Sequence, residues 1–301
     1  MNFSVLKARV AGEVGLDATA DDTLLGVWVN AAYKHVCGLY NWPWLVKPGT
    51  VQTVTDITTG TVAINAASTS LTFSSGPAVS VASQYMIQFS EVSDDWYNIS
   101  AHTAAATSAT LATAFAGASN LTADDYICRK VLYSLPSDCD RIISIREAVN
   151  DHKLYPVDIR TFDHELPDPT ATGTPLFYSV VGLDSSNYWQ VTLYPIPDAK
   201  VNLQIRYLQI PADMATTNNP VLPEKFHDVI VWCALFMYGH PYIDDSRVSS
   251  AKARFDQRVA DMKRQHSPVP DHGTVLRPWD SRGGASYPGT LPPNYPYPWR
   301  S

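Results

Sequence analysis

The sequence contains little charge and little cysteine, and each scarcity excludes a class of protein. Charged residues make up 17% of the 301 residues, the formal net charge is −7, and no basic patch stands out. Proteins that read DNA sequence carry such a patch, so we predict no sequence-specific DNA binding, while passive contact with DNA stays open. The four cysteines are scattered without a CxxC pair: Cys37, Cys128, Cys139 and Cys233. They are expected to be reduced and structural.

The motifs of common active sites are also missing. There is no GxSxG, no glycine-rich phosphate loop and no carboxylate-rich metal motif. His164-Glu165 lacks the second histidine of a zinc-binding HExxH helix and lies in a proline-rich stretch that predicts a loop. His227 and Asp228 are adjacent in a predicted helix, so their side chains point about 100° apart and do not form a natural relay pair. We therefore predict no enzyme, no cofactor and no metal; the enzymatic alternative is a dyad assembled by the fold that acts on a glycan.

Targeting signals are absent from the start of the sequence. Met1-Asn2-Phe3-Ser4 leads directly into an amphipathic segment, without a basic region followed by an apolar core. We expect no signal peptide, synthesis in a cytoplasm and no membrane partner.

The most informative stretch that is present runs from Leu222 to Tyr238 and is followed by Gly239-His240-Pro241. Pro223 suits a first helical turn and Gly239 is a stop signal, so this stretch predicts one helix. Its apolar residues form stripes on every side, and a helix without a polar face must be enclosed by protein. Either the core of its own domain or a neighbouring subunit supplies that cover. The candidate contacts to a subunit or partner on this helix are Phe226, Val229, Trp232 and Phe236.

Further helices are predicted at both ends of the chain. Ser4 is the expected cap of the first, and Asp21 or Asp22 that of the second. The inward face expected for the second helix consists of Leu24, Trp28, Ala31, His35 and Leu39, with Val27, Ala32 and Val36 beside it. The last helix starts at about Asp244 and buries a stripe made of Val248, Ala251, Phe255, Val259 and Met262. Its other face is basic, and is either solvated or turned toward an acidic partner or nucleic acid.

Residues 50–131 are rich in Ala, Ser and Thr and alternate in short runs, which predicts an all-β module. The expected strands are 60–64, 70–73, 85–89, 96–100, 109–111 and 126–131. Six acids and two bases give the module a net charge of about −4, which argues against a phosphate-bearing partner.

Residues 132–212 form a second β-rich stretch. Its expected strands include 141–148, 176–181, 188–194 and 201–208, and Pro195-Ile196-Pro197-Asp198 predicts a turn that joins the last two as a hairpin. Alternation in the last strand indicates an antiparallel sheet with one face on the helices.

The final stretch, 267–301, holds eight of the 22 prolines and has no periodic pattern. It also carries large side chains that disordered tails tend to lack. These are candidate partner contacts: Leu276, Trp279, Tyr287, Tyr295, Tyr297 and Trp299. We favour an extended arm that docks on another subunit or partner; the alternatives are a disordered tail and an arm folded back over its own domain.

The predicted fold class is α+β: a helical bundle from the N- and C-terminal helices, antiparallel β modules and an extended C-terminal arm. The predicted domains are a helical bundle (1–49 and 213–266), an inserted β-barrel-like module (50–131), an antiparallel sheet region (132–212) and the arm (267–301).

Six motifs in order resemble the bacteriophage head-to-tail adaptor proteins, which are also called connector or neck proteins. The motifs are Trp28-Val29-Asn30-Ala31-Ala32, Asn41-Trp42-Pro43-Trp44-Leu45, Tyr133-Ser134-Leu135-Pro136-Ser137-Asp138, Gly173-Thr174-Pro175-Leu176-Phe177-Tyr178, Leu193-Tyr194-Pro195-Ile196-Pro197-Asp198 with Tyr207, and Leu222-Pro223-Glu224-Lys225-Phe226-His227. The resemblance spans about residues 3–265. Residues 97–117 also resemble a small β-barrel that some of these adaptors carry as an insertion.

This resemblance implies a structural virion protein located in the neck, between the capsid portal and the tail, and assembled in the cytoplasm of the bacterial host. Such proteins form a ring, commonly a dodecamer, that binds the portal protein and a tail or second neck protein. The ring extends the DNA channel, helps to retain packaged DNA and touches it only passively.

The alternative function is a carbohydrate-binding or adhesion module of a phage particle, based on Trp96 and Tyr97 in the turn-rich β insertion. Glycan recognition requires exposed rings side by side, whereas alternation along a strand places these two on opposite faces.

Overall fold

The computed structural model describes residues 1–149, 152–165, 170–215 and 218–266, and it is an α+β protein. The helices are α1 (Phe3–Val14), α2 (Asp22–Gly38), α3 (Ile159–Glu165), α4 (Asp228–Tyr238) and α5 (Asp245–His266). The strands are β1 (Val46–Gln52), β2 (Val62–Ile64), β3 (Ser70–Phe73), β4 (Tyr85–Phe89), β5 (Val92–His102), β6 (Ser108–Leu111), β7 (Leu121–Asp124), β8 (Tyr126–Lys130), β9 (Leu132–Ser134), β10 (Cys139–Glu147), β11 (Lys153–Pro156), β12 (Phe177–Leu183), β13 (Trp189–Tyr194) and β14 (Asn202–Gln209). Short 3-10 turns occur at Pro43–Leu45 and Glu224–Phe226.

The four longer helices α1, α2, α4 and α5 share one hydrophobic core, and we call them the helical region. The predicted cap of α1 was wrong by two positions: Asn2, not Ser4, accepts the backbone N–H of Val5, and α1 begins at Phe3. At the other end of α1, Gly15 takes a left-handed conformation that closes the helix, as glycine does without strain.

The inward face predicted for α2 was only partly right. Trp28, Ala32 and Val36 are buried as predicted, whereas other predicted members are exposed: Leu24, Val27, His35 and Leu39. The residues of α2 that enter the core are Leu25, Trp28, Val29, Ala32, Tyr33, Val36 and Cys37. Both faces of this helix carry apolar residues, so periodicity alone did not decide between them, and packing against α4 did.

One seven-stranded sheet has the order β1-β14-β10-β11-β12-β13-β9. All of its pairs are antiparallel except β11 with β12, so the purely antiparallel arrangement predicted for this stretch was wrong at that pair. The predicted hairpin of β13 and β14 was also wrong. β13 instead pairs with β12, the strand directly before it in the chain, and with the distant β9, whereas β14 lies between the distant strands β1 and β10.

The second seven-stranded sheet has the order β7-β2-β3-β6-β5-β4-β8 and encloses its own hydrophobic core. All six strands predicted between residues 60 and 131 are present, and β7 is an addition. The outer strands of the order, β7 and β8, are separated in the chain by Asp125 alone. A third core belongs to the first sheet.

The stretch around His164 was predicted to be a loop, but it forms the short helix α3. Phe162 of α3 packs edge-on against Tyr194 of β13, with ring centroids 6.0 Å apart. This contact holds α3 against the sheet, although the prolines that flank the helix in the sequence suggested a loop.

Candidate functional site: the α4–α5 surface

Helix α4 is the centre of the helical region. It contacts α1, α2 and α5, and most of its side chains are buried. A 3-10 turn at Glu224–Phe226 precedes it, so the single predicted helix has a tighter first turn. The chain itself thus provides most of the cover that an all-apolar helix requires.

The remaining side of α4 lies along α5, and long side chains of α5 close it. Lys225 Nζ donates to Gln265 Oε1 at 2.7 Å, and Arg258 Nε donates to Asp228 Oδ2 at 2.8 Å. As the residue number rises toward and along α4, the number of the contacting residue on α5 falls, so the two helices run antiparallel. We call the boundary between α4 and α5 the seam. Near the start of α4 its contacts are polar.

Further along the same seam the contacts become aromatic. The guanidinium carbon of Arg254 lies 4.6 Å from the ring centroid of Trp232, and Lys252 Nζ lies 5.6 Å from that of Phe236. Phe236 also stacks on Phe255 at 6.1 Å. Both cationic side chains are exposed, while Trp232 and Phe236 are partly buried. We call Trp232, Phe236, Lys252 and Arg254 the Trp232 surface.

The predicted contact residues of α4 therefore divide into two groups. Phe226 and Val229 are 2% and 0% exposed and are enclosed by the helical region, so only Trp232 and Phe236 offer surface to a partner. The other predicted contacts lie outside the described residues: Leu276, Trp279, Tyr287, Tyr295, Tyr297 and Trp299.

Of the two histidines that the sequence offers as catalytic candidates, His227 has a structural role. His227 is buried, and its Nε2 lies 2.9 Å from the carbonyl oxygen of Leu222, which fixes the ring. Its neighbour Asp228 instead pairs with Arg258, so the two do not form a relay. His164 is exposed on α3. Among the described residues, no cluster of three or more histidine, cysteine, aspartate or glutamate side chains has metal-binding geometry.

The two rings on which the glycan alternative was based are not exposed side by side. Tyr97 is 5% exposed and packs in the core against Phe89 and Phe115. Trp96 faces the other way and lies under Arg129, whose guanidinium carbon is 4.8 Å from its ring. The strand alternation predicted this separation, and no flat aromatic platform results.

Sequence reasoning missed the connection between the two sheets. Arg129, at the end of β8, donates to both carboxylate oxygens of Asp56 at 2.8–3.1 Å and to the carbonyl oxygen of Thr170 at 3.0 Å. Arg129 is buried, and Trp96 packs on it. The contact joins the second sheet to the loop before β12, so it fixes one module against the other. Arg129 and Lys130 are the only Lys or Arg residues in an otherwise acidic module. Their isolation is the feature of the sequence that could have pointed to this contact.

A second contact reinforces this junction. Gln84 Nε2 donates to Ser134 Oγ, which in turn donates to Asp184 Oδ2, each at 2.8 Å. Backbone N–H groups of Tyr188 and Ser186, together with this hydroxyl, hold the pKa of Asp184 below its usual value. The carboxylate therefore stays charged and keeps accepting these hydrogen bonds.

None of the described helices combines the length and the apolar character needed to cross a membrane. No curated protein matches the chain. The sequence model of the SU10 adaptor protein family matches residues 94–277, from β5 through α5 and beyond. This match covers more than half of the chain and includes both helices of the Trp232 surface. The chain therefore belongs to the SU10 adaptor protein family and is a bacteriophage adaptor-type structural protein, a component of the virion.

Proposed function

We propose that this adaptor forms a homo-oligomeric ring, a dodecamer, beneath the portal protein in the neck of the virion. The ring extends the DNA channel and binds a tail or second neck protein, so that it connects the capsid to the tail. The role is structural and non-enzymatic, and packaged DNA touches the channel only passively. The family membership and the weakly acidic composition support this proposal, since a ring without dense lysine clusters does not grip phosphate.

The parts of the chain have separate tasks in this proposal. The helices at the two ends of the chain form the bundle that builds the ring, and the two sheets face outward or toward the tail. The strands β2 to β8 close into a small barrel, supported by the fact that β7 and β8 are neighbours in the chain at opposite ends of the strand order. The arm at 267–301 clasps the portal or a neighbouring subunit during assembly.

The observation that carries the proposal is the Trp232 surface. On this side of α4, the side chains of Lys252 and Arg254 lie over Trp232 and Phe236, and both rings stay partly exposed. A cyclic ring needs a patch on each subunit that fits a different patch on the next. Large aromatic side chains beside arginine are the residues that dominate such contacts. We place the ring contact at Trp232 and Phe236.

Replacement of Trp232 by Ala separates the interface role from the core role. Trp232 is only partly buried, so we expect the free energy of unfolding of the monomer to fall by about 1–2 kcal/mol, less than the 3–5 typical of a core tryptophan. Ring formation should be lost. The matched control is Leu235→Ala on the same helix: Leu235 is buried at 2% exposure, so this variant should lose about 3 kcal/mol and still form rings at low temperature.

The assay is negative-stain microscopy and light scattering of each purified variant, with and without the portal protein. Rings formed equally well by Trp232→Ala and by the unchanged protein would remove this interface. In the phage, disruption of the gene should produce separate heads and tails with many empty heads; intact, joined virions would refute the neck assignment itself.

A further inference from the structure

A second surface of the helical region is apolar and partly exposed, and it shares no residue with the Trp232 surface. Trp28 of α2 stacks on Tyr238 at 5.9 Å and meets Tyr242, in the α4–α5 loop, at 5.4 Å. Trp28 itself is buried at 7% exposure and Tyr238 is partly buried. The exposed side chains beside them are Leu24 at 37%, Val27 at 60% and Tyr242 at 44%. We call these five residues the Trp28 patch.

The rings of Tyr242 and, in part, Tyr238 give the Trp28 patch the composition of a surface that binds proline-rich peptide. Such peptides form a polyproline II helix without internal hydrogen bonds, and they dock with little loss of entropy on surfaces lined with aromatic rings. The patch consists of three aromatic and two aliphatic side chains and carries no charge. A partner for it is therefore uncharged and apolar, with prolines that pack flat against the rings.

The sequence contains such a segment. Residues 286–299 include five prolines among 14 residues, together with Tyr287, Tyr295, Tyr297 and Trp299, and no charged side chain. Elsewhere in 267–301 charged residues occur, so the uncharged composition belongs to this segment in particular.

The reach from the end of α5 to the patch is compatible with docking in the same chain. Tyr242 lies just before α5 and His266 at its far end, and the 22 residues of α5 span about 33 Å. The 19 residues from 267 to 285 span about 24 Å as a random coil and at most about 59 Å as polyproline II. Such a tether gives an effective concentration on the order of millimolar, well above that of free subunits.

We infer that the Trp28 patch is the docking site of residues 286–299 of the same chain in the unassembled subunit. The inference rests on the proposed function, because the arm that covers this patch before assembly is the arm that later clasps the portal or a neighbour. Cover of this kind keeps an apolar surface from associating before the ring is built.

The experiment uses the full chain with a nitroxide label on Ser301→Cys and methyl-labelled leucine and valine. The native cysteines are buried, so the label attaches to the new thiol. In the monomer, we expect the label to broaden the methyl resonances of Leu24 and Val27 at least fivefold more than those of Val180 and Val181, which are exposed on β12. Tyr242→Asp should abolish the difference. Tyr188→Asp, which alters a comparably exposed tyrosine directly before β13, should leave it unchanged.

Dilution and mixing identify the source of the arm. Broadening that is independent of concentration supports docking within one chain. Broadening that appears only when spin-labelled and methyl-labelled molecules are mixed would overturn the inference and show that the arm of a neighbouring copy docks. Equal broadening at Leu24, Val27, Val180 and Val181 would show that the arm does not dock on the patch at all. Tyr242→Ala, with circular dichroism as a check, repeats the test without a new charge. Ring formation is tested separately with Trp232→Ala. If the arm does not dock on the patch, the proposed ring is unaffected; if the protein forms no ring, docking can still be measured in the monomer.

Discussion

Replacement of Arg129 by Met should loosen the second sheet from the rest of the protein. The change keeps the apolar stem of the side chain but removes three hydrogen bonds to Asp56, one to Thr170 and the cation over Trp96. The Asp56 carboxylate, with 23% of its side chain exposed, then loses its cation in a partly buried site.

The size of the effect follows from this burial. Removal of one partner of a buried pair typically costs 3–5 kcal/mol, because the other charge stays desolvated without compensation. Water reaches part of Asp56, so we expect the lower end, about 3 kcal/mol. Arg247→Met is the matched control: Arg247 pairs with Glu13, and their side chains are 51% and 45% exposed. An exposed pair of this kind contributes about 0–1 kcal/mol.

Hydrogen exchange under native conditions with added urea is the appropriate assay, because the three hydrophobic cores need not unfold together. In Arg129→Met, protection should fall in peptides from β4 and β8 and remain in α4. The double variant Arg129→Met with Asp56→Leu should recover part of the loss, since no unpaired carboxylate is left. If Arg129→Met differs from Arg247→Met by less than about 0.5 kcal/mol, the junction does not depend on this ion pair.

The remaining predictions concern two glycines and the buried thiols. Gly12→Ala should raise the free energy of unfolding by about 0.5–1 kcal/mol in urea melts, because an added Cβ in the interior of α1 meets nothing within 4 Å. Gly76→Ala should lower it, because the Cβ would overlap the carbonyl oxygens of Ala105 and Ala106; a neutral result would show that this loop moves freely. Burial raises the pKa of Cys37, Cys128 and Cys233 to about 12, so Ellman's reagent at pH 8 should count none of them in the folded protein and all of them in urea. Since these thiols ionise first in the unfolded chain, stability should be full below pH 9 and fall as the pH rises toward 12, and a flat profile there would contradict the burial.

Strands of the second sheet were predictable because their burial follows a local rule. In β3, for example, Leu71 and Phe73 are buried while Ser70 and Thr72 are exposed, which is the alternation of a half-buried strand. Nothing comparable marks β1, where Pro48 and Gly49 suggest a loop. β1 is an edge strand, where proline is tolerated, and Gly49 leaves room for the ring of Tyr207, which an added Cβ would approach to 2.9 Å.

Pairing between distant segments could not be predicted from turn chemistry. The sequence Pro195-Ile196-Pro197-Asp198 correctly indicates a reversal between β13 and β14, but a reversal does not decide which strands become neighbours. Likewise, Arg129 and Asp56 are 73 positions apart, and only the fold brings the carboxylate to the guanidinium. Local patterns thus predict elements, while the sites built between elements require the structure.

Local patterns also could not predict which residues of α4 reach the surface, and this determines how the ring hypothesis is tested. An apolar helix predicts enclosure without naming the enclosing partner, so the sequence placed Phe226, Val229, Trp232 and Phe236 together as contacts. Packing within the subunit removes the first two from the surface and leaves the last two beneath the cations of Lys252 and Arg254. These cations lie over aromatic rings, which hold them weakly. A neighbouring subunit with an acidic side chain beside an apolar one would form a salt bridge to a cation and also bury the rings. Ring assembly through this surface should therefore weaken at high salt, whereas assembly through apolar contact alone would strengthen.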